Sequence, residues 1–174
     1  LESMRRHLHN EIDYRREAEL TARMAELVAG VSAGAIGYRV PRLYPRFCGE
    51  AVLALEYMEG VPVTAPPVAA LPLARRNALA LGMLELFFYE LYDWGCMQTD
   101  PNFANYLYRP ANRRGASRIV LLDFGSTAHF PKAFTERYAQ ISRALIAGDH
   151  DATRRYAEEI GYLRPSDSPQ HAER

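Results

Sequence analysis

Two short runs of the sequence carry oxygen-bearing side chains at spacings that suit metal and phosphate chemistry. The first run contains Asp100 and, five residues later, Asn105, and the second contains Asp123 followed by Phe124 and Gly125. Carboxylate and amide oxygens suit Mg²⁺, the hard cation that accompanies nucleotide phosphates, so Asp123 and Asn105 are candidate metal ligands. Asp100 has no lysine beside it, and it is a candidate to accept a proton from an attacking hydroxyl or to orient a water.

The order of these runs matches the catalytic segment of protein kinases, where an Asp precedes an Asn by five residues and a hairpin leads to Asp-Phe-Gly. Strands are predicted at Tyr106–Tyr108 and Ile119–Leu122, with a turn-rich connector at 110–117. An isolated Asp-Phe-Gly is a weak signal, and an isolated Asp or Asn is more often a turn or cap residue. Order, spacing and hairpin together favour a site for ATP and Mg²⁺.

A predicted helix at Met4–Val28 precedes these runs, because the stretch lacks proline and glycine and partly follows helical spacing. Asp13 and Glu17 lie one turn apart on it, where like charges cost about 0.2–0.5 kcal/mol. One interpretation is a solvated charged face screened by Arg15 and Arg16. The other is that Glu17 is the kinase glutamate that pairs with a nucleotide-binding lysine, which would have to precede the first residue.

Further elements are predicted between and after the chemical runs. Ala51–Met58 is short and apolar and predicts a buried strand, followed by a turn at Gly60 and Pro62. In the kinase pattern this strand leads to the hinge, where backbone groups at Glu56 and Met58 would contact adenine, whereas an ordinary strand before a turn is the alternative. Three more helices are predicted, at Ala74–Tyr92, Phe134–Ile146 and Asp151–Ile160.

The composition is that of a soluble globular protein and disfavours several other classes. Of 174 residues, 48% are hydrophobic and 24% are charged, with a formal net charge of +0. A nucleic-acid binder usually shows a basic excess, and none is visible. Cys48 and Cys96 form no metal pattern and indicate a reduced compartment or plain packing. The sequence opens directly into a helical pattern without an initiator Met, which predicts a chain cut from a longer one or trimmed at its front.

Four runs of the sequence resemble the UbiB/AarF-domain atypical kinases. They are EIDYRREA (Glu11–Ala18), VPRLYP (Val40–Pro45), MQTDPNFANYLY (Met97–Tyr108) and LLDFGSTAHF (Leu121–Phe130). The MQTDPN form is most similar to the branch that supports coenzyme Q (ubiquinone) biosynthesis. The resemblance implies an α+β, protein-kinase-like fold, mainly the αC-like helix, the hinge and a mostly helical C-terminal lobe. It implies a partial domain over residues 1–163, with a polar tail at 164–174.

The resemblance also implies a nucleotide site with ATP and Mg²⁺ as its ligands. The implied roles are a catalytic aspartate at Asp100, metal ligands at Asn105 and Asp123, and nucleotide-site positions at Glu17, Glu56, Met58, Phe124 and Gly125. The family's Glu-x-Asp pair corresponds to Glu11 and Asp13, and it faces an N-terminal extension with a KxGQ motif that lies over the active site and limits protein-kinase activity.

The sequence lacks three features of the family pattern, and it also differs at two places from ordinary protein kinases, as an atypical kinase would. The KxGQ extension, the alanine-rich phosphate loop and the strand lysine would all precede Glu11, and the only lysine is Lys132, after the Asp-Phe-Gly motif. Gln98 and Thr99 stand where ordinary kinases have His-Arg. No Ala-Pro-Glu follows Gly125, so we expect a small molecule, a lipid head group or water rather than a peptide as the phosphoryl acceptor.

Two other functions remain open at this point. A non-catalytic pseudokinase scaffold is favoured by the missing lysine, and a small-molecule phosphotransferase similar to the aminoglycoside phosphotransferases is disfavoured by Gln98 and Thr99. The resemblance implies lipid or isoprenoid precursors and quinone-biosynthesis proteins as partners, without nucleic acid, and it allows peripheral membrane association. It implies a mitochondrial location on the matrix side of the inner membrane, or a bacterial one in the cytoplasm or at the inner-membrane face.

Overall fold

The computed structural model describes residues 13–32, 34, 36–100, 102–112 and 115–164. These residues divide into two compact units, the first comprising 13–87 and 98–128 and the second comprising 88–97 and 129–164. The predicted site residues that the structure describes all belong to the first unit. Nearly all of the predicted polar tail, 165–174, lies outside the described residues.

Short strands alternate with helices along the chain. The helices are α1 (Tyr14–Ala29), α2 (Pro66–Ala69), α3 (Leu73–Phe88), α4 (Lys132–Ala147) and α5 (His150–Glu159). The strands are β1 (Gly37–Arg39), β2 (Val61–Pro62), β3 (Cys96–Gln98), β4 (Tyr106–Arg109), β5 (Arg118–Leu121) and β6 (Thr127–His129). Over the residues that the structure describes, no helix is both long and apolar enough to cross a bilayer.

Helix α1 begins where its sequence supplies an N-cap. The carboxylate of Asp13 accepts a hydrogen bond from the backbone N–H of Arg16 (3.1 Å), which satisfies one of the N–H groups left free at a helix start. Leu20 and Met24 are one turn apart and buried, so they anchor the helix to the first unit. The predicted helix is confirmed from Tyr14 onward, and its first part, 4–12, lies outside the described residues.

The predicted hairpin forms the centre of a four-stranded sheet with the strand order β1-β5-β4-β2. Strands β4 and β5 are antiparallel, with Tyr106 opposite Leu121, and β1 runs parallel to β5, with Tyr38 opposite Ile119. The side chains of Ile119 and Val120 have no exposed surface. Strand β5, which leads to the Asp-Phe-Gly motif, is therefore buried in the core of the first unit.

The segment predicted as a buried strand, Ala51–Met58, forms an irregular hairpin with the segment before it. The backbone N–H of Glu56 donates to the C=O of Arg42 (2.8 Å). Val52 is 55% exposed and Tyr57 is 90% exposed, so the prediction of burial was wrong. An apolar run shows that a segment can be buried, but it carries no information on which neighbours cover its two faces.

The predicted helix Ala74–Tyr92 is confirmed in its main part and differs at its end. Helix α3 stops at Phe88, and a π-helical turn follows over Tyr89–Asp93, closed by a bond from the N–H of Trp94 to the C=O of Tyr89 (2.8 Å). A single i→i+5 turn leaves the helical periodicity of the sequence almost unchanged. The pattern therefore predicted one continuous helix up to Tyr92.

The second unit contains the two C-terminal helices, and both predictions are confirmed. Helix α4 ends at Gly148, whose φ of 70° lies in the left-handed region that glycine adopts at helix ends. Asp149 then caps α5 by accepting from the N–H of Ala152 (2.9 Å). Along α4, the stacked rings of Phe134 and Tyr138 have centroids 6.0 Å apart.

We expect Gly82→Ala to destabilise the first unit. A Cβ at this position would overlap Ile36 Cγ2 and lie 3.1 Å from Ile119 Cδ1, while the hydroxyl of Tyr38 donates to the C=O of Gly82 (2.7 Å). Overpacking costs about 1–3 kcal/mol, and the higher helix propensity of alanine recovers about 1 kcal/mol. The net loss in the free energy of unfolding is therefore up to about 2 kcal/mol, measurable by urea denaturation.

Gly49→Ala is the matched control, because no atom lies within 4 Å of a Cβ built at Gly49. Its free energy of unfolding should stay within about 0.5 kcal/mol of the wild-type value. A Gly82→Ala protein more stable than the wild type would contradict the packing described here.

Candidate active site

A buried glutamine joins the strand before Asp100 to the strand end that leads into Asp123. Gln98 is 5% exposed and donates through Nε2 to the backbone carbonyls of Leu122 (3.5 Å) and Asp123. Its Oε1 accepts from the hydroxyl of Tyr106 (2.8 Å). In the sequence, Gln98 stands out only as a departure from the ordinary kinase pattern. The signal for a site role is its place as a polar side chain close before the candidate catalytic residue.

The structure brings the two predicted metal ligands together. Asn105 Nδ2 lies 3.5 Å from Asp123 Oδ2, and the other carboxylate oxygen, Oδ1, accepts from the N–H of Gly125 (3.2 Å). The backbone N–H of Leu122 donates to the C=O of Asn105 (2.8 Å), which ties the two loops together beside these side chains. Asp123 has a φ of 58°, the one positive value at a non-glycine position among the residues described. Such backbone conformations cluster at functional sites.

Asp100 faces the same cleft as Asp123. The residue before it, Thr99, donates through its backbone N–H (3.1 Å) and its hydroxyl (2.5 Å) to the C=O of Ser126. The cleft has a volume of about 680 Å³, within the usual range for small-molecule sites. Its lining residues are Tyr14, Glu17, Ala51, Val52, Leu53, Asp100, Asp123, Gly125 and Ser126.

Glu17 is brought into the cleft by α1 and lies beside Asp123. Partial burial raises the pKa of the Glu17 carboxyl, and the negative charge of Asp123 raises it further, while a hydrogen bond from the backbone N–H of Phe124 acts in the opposite direction. Like charges in a partly dry site disfavour the ionised form. The Glu17 carboxyl therefore lies against the backbone of the Asp-Phe-Gly motif, at Phe124.

Arg16, the neighbour of Glu17, also contacts this backbone. Its guanidinium donates through Nη1 to the C=O of Gly125 and through Nη2 to the C=O of Thr127 (2.9 Å). The interpretation that Arg15 and Arg16 both screen a solvated face was therefore wrong for Arg16. Arg15 does lie on the exposed face, where it pairs with Glu50 (2.9 Å).

The predicted Glu-x-Asp pair is only half described. Glu11 lies outside the described residues. Asp13 is exposed and acts as the N-cap of α1. Its role in facing another segment stays a prediction.

The predicted hinge residues do not line the cleft. The carboxylate of Glu56 accepts from Arg39 Nη2 (2.9 Å) and from the backbone N–H of Arg42 (3.1 Å). The Arg42 N–H is the main cause that holds the pKa of Glu56 below its usual value. Met58 lies two residues further along, partly exposed, and the side chain of Phe124 is 1% exposed and packed in the core. Phe124 can therefore contribute to the site only through its backbone.

The donor set fits magnesium better than a metal held by protein alone. No group of three or more His, Cys, Asp or Glu side chains able to hold a metal occurs in the part of the chain that the structure describes. One carboxylate and one amide oxygen, from Asp123 and Asn105, remain. Mg²⁺ is commonly bound by one or two carboxylates together with substrate phosphates and water, so the residues present fit this ion.

Comparison with known proteins decides the family. The ABC1 atypical kinase-like domain matches residues 1–157 of the sequence. The chain belongs to this ABC1 atypical kinase-like family. The resemblance noted from the four sequence runs is thereby confirmed.

Curated relatives of this ABC1 domain are named as atypical kinases. The chain is 31% identical over 163 residues to atypical kinase COQ8B, mitochondrial, of Rattus norvegicus, which covers 94% of the chain and 29% of that protein. It is 34% identical over 159 residues to atypical kinase coq-8, mitochondrial, of Caenorhabditis elegans. That alignment covers 91% of the chain and 20% of the Caenorhabditis elegans protein. The chain thus spans less than a third of the length of either relative.

A solved structure shows the fold of the ABC1 domain. The Rv3197–erythromycin complex from Mycobacterium tuberculosis superposes with a TM-score of 0.72 at 23% identity, over 91% of this chain and 38% of that one. Together with the family match, this confirms the predicted α+β, kinase-like fold.

We expect Glu17→Gln to stabilise the metal-free protein at neutral pH. Gln keeps an acceptor for the N–H of Phe124 and removes the charge that faces Asp123. Because the folded-state pKa of Glu17 is raised, ionisation of this residue opposes folding above its ordinary pKa. Below that pKa the carboxyl is protonated in both the folded and unfolded states. The gain in melting temperature should therefore be present at pH 7 and vanish near pH 4.

Glu26→Gln serves as the control, because Glu26 is exposed on the same helix and pairs with Arg23 (3.3 Å). Surface pairs of this kind contribute little, so we expect no gain at pH 7. A gain from Glu17→Gln that persists unchanged at pH 4 would contradict the raised pKa of Glu17 that burial and the charge of Asp123 cause.

Proposed function

We propose that the protein binds ATP with Mg²⁺ in the cleft and hydrolyses ATP, or transfers its phosphoryl group, as an atypical kinase that supports ubiquinone biosynthesis. The observation that carries the proposal is the 3.5 Å contact between Asn105 Nδ2 and Asp123 Oδ2, beside a cleft that Asp100 also lines. The names of the relatives support the kinase class and the ubiquinone connection.

Asp123 and Asn105 are the residues that would hold the magnesium ion. The Nδ2 atom of Asn105 is directed at Asp123, which leaves its amide oxygen for a cation. The N–H of Gly125 occupies one lone pair of Asp123 Oδ1 and fixes the carboxylate plane. A magnesium ion held there would offset the negative charge of the phosphate oxygens.

Asp100 would act as the proton acceptor or would orient the attacking water. It lies exposed at the cleft, where it can meet a hydroxyl group. The two bonds from Thr99 to the C=O of Ser126 hold the loop that carries it. Such a positioned base contributes about 10²–10⁴-fold to the rate of a proton-transfer step.

Glu56 and Met58 do not line the cleft, and we propose that they contact, through their backbone, the adenine part of an ATP molecule that extends beyond it. Because the N–H of Glu56 already donates to the C=O of Arg42, the group that Glu56 offers a base is its C=O. Met58 offers its N–H. This pair of one acceptor and one donor matches the two hydrogen-bonding positions on the edge of adenine.

The acceptor of the phosphoryl group is proposed to be water, a lipid head group or a small isoprenoid precursor. Quinone-biosynthesis proteins are the proposed protein partners, and peripheral association with a membrane follows from an acceptor that resides there. Relatives are named mitochondrial, and we propose the same compartment or, in a bacterium, the inner-membrane face.

Asp123→Asn should abolish the Mg²⁺-dependent part of ATP binding, since an amide is a far weaker ligand for a hard cation than a carboxylate. Isothermal titration with ATP, with and without magnesium, measures this. The folded state should persist, because the change also removes the charge that faces Glu17.

Asp151→Asn is the matched control. It makes the same chemical change in the first turn of α5, in the second unit, and should leave Mg-ATP affinity unaltered. Unchanged Mg-ATP affinity in Asp123→Asn would refute the metal assignment.

Asp100→Asn should separate binding from chemistry. We expect Mg-ATP affinity to stay at the wild-type value while ATP turnover falls by about 10²–10⁴-fold, the usual contribution of a general base. Steady-state phosphate release measures turnover. A variant that turns over ATP at the wild-type rate would exclude Asp100 as the proton acceptor.

A thermal-shift measurement distinguishes the enzyme from a non-catalytic scaffold. A ligand that binds only the native state raises the melting temperature. Mg-ATP should therefore raise it for the wild-type protein. The absence of a shift at millimolar Mg-ATP would favour the scaffold function.

A further inference from the structure

The turn that follows Asp123 is held by an arginine whose role no part of the proposed chemistry explains. We define this turn, residues 123–127, as the DFG turn. Arg16 lies on α1, 109 residues before Gly125 in sequence, and its guanidinium donates to the carbonyls of both Gly125 and Thr127. Two contacts of one side chain to alternate carbonyls of a single turn constrain both the position and the rotation of that backbone.

The carbonyl between these two is also held from outside the turn. The C=O of Ser126 accepts from the N–H and the hydroxyl of Thr99. Three consecutive carbonyls of the DFG turn thus point at donors on two other segments. Within the turn, the N–H of Thr127 donates to the C=O of Phe124 (3.0 Å).

Adjacent residues of α1 hold the DFG turn with opposite polarity. Glu17 accepts the N–H of Phe124, and Arg16 donates to carbonyls further along the turn. An N–H and a C=O of one backbone segment cannot both be satisfied in this way unless the segment has one orientation relative to the helix. The pair therefore specifies how the turn faces α1.

The chemistry of arginine suits this task. Its guanidinium is always charged and presents its N–H groups in a rigid planar fork, so two carbonyls can be bound with little additional loss of side-chain freedom. Hydrogen bonds from a charged donor are stronger than neutral ones. Arg16 is partly buried here, which reduces competition from water.

We infer that Arg16 is a positioning residue that holds the DFG turn in the orientation in which Asp123 faces Asn105 and the cleft. The inference rests on the proposed function, because it assigns Arg16 to the placement of the proposed metal ligand. Arg16 does not line the cleft, so it would act through the turn that it holds. Its effect should appear in the affinity for magnesium and in the mobility of the turn.

The test uses three variants of the purified protein. Arg16→Gln removes the charge and the fork, and Arg16→Lys keeps the charge but offers one nitrogen in place of the fork. Arg15→Gln is the matched control on the neighbouring residue, whose partner is the exposed Glu50. Amide hydrogen exchange over the DFG turn is measured without ligand, and Mg-ATP affinity is measured by titration of magnesium at fixed ATP.

We expect Arg16→Gln to exchange about tenfold faster than the wild type over the DFG turn and to bind Mg-ATP about tenfold more weakly, the scale of one lost charge-assisted hydrogen bond. Exchange over α3 should not change, which separates a local release from general unfolding. Arg16→Lys should lie between the wild type and Arg16→Gln in both measurements. Arg15→Gln should match the wild type in both.

Wild-type exchange over the DFG turn in both Arg16 variants would overturn the inference. Faster exchange with unaltered Mg-ATP affinity would also overturn it, because Arg16 would then be only a structural contact. If Arg16→Gln does not fold, Arg16→Lys decides between these outcomes. Failure of the wild-type protein to bind Mg-ATP would refute the proposed function instead, and the exchange measurement would still decide whether Arg16 holds the turn.

Discussion

The orientation of the Asp123 carboxylate depends on a left-handed backbone conformation. Its φ is 58°, in a region that non-glycine residues adopt uncommonly and that Asp tolerates better than most. Gln98 binds the C=O of this residue, Asn105 contacts its carboxylate, and Arg16 and Glu17 bind the turn that follows. Residues from two strand ends and from one helix thus contact the single segment 123–127, and the other elements of the first unit hold those strands and that helix in place.

The same convergence creates an electrostatic cost that a cation would relieve. Glu17 and Asp123 both carry carboxylates. Burial is the main cause that raises the pKa of Glu17, and the negative charge of Asp123 raises it further, so the site disfavours two negative charges. A structural site would be more stable with one of them replaced by an amide. Retaining both is understandable when a divalent ion is bound beside them, because its charge offsets their repulsion. The electrostatics and the donor set therefore support the same ligand class by separate arguments.

The sequence predicted which candidate site residues come together and the hairpin that separates them, because these depend on local spacing. Asp100, Asn105 and Asp123 lie within one 24-residue stretch whose turns and strands leave few arrangements. Gln98 and Arg16 were not predicted as site residues, since their partners are backbone carbonyls 25 and 109 residues away. A carbonyl acceptor is present at every position, so no sequence pattern marks it. The prediction that Ala51–Met58 is buried was wrong for a related reason: the local sequence does not encode which distant residues will cover a segment.

The site and the core beneath it are not independent, and this limits how substitutions combine. Strand β5 ends at Leu121, so a single residue separates the last position of the sheet from Asp123. The side chains of Ile119 and Val120 are fully buried, and a close-packed interior transmits small displacements rather than absorbing them. A shift of β5 caused by added volume at Gly82 would therefore reach the carboxylate. Effects at Gly82 and in the DFG turn should not add, as expected for residues coupled through a shared backbone.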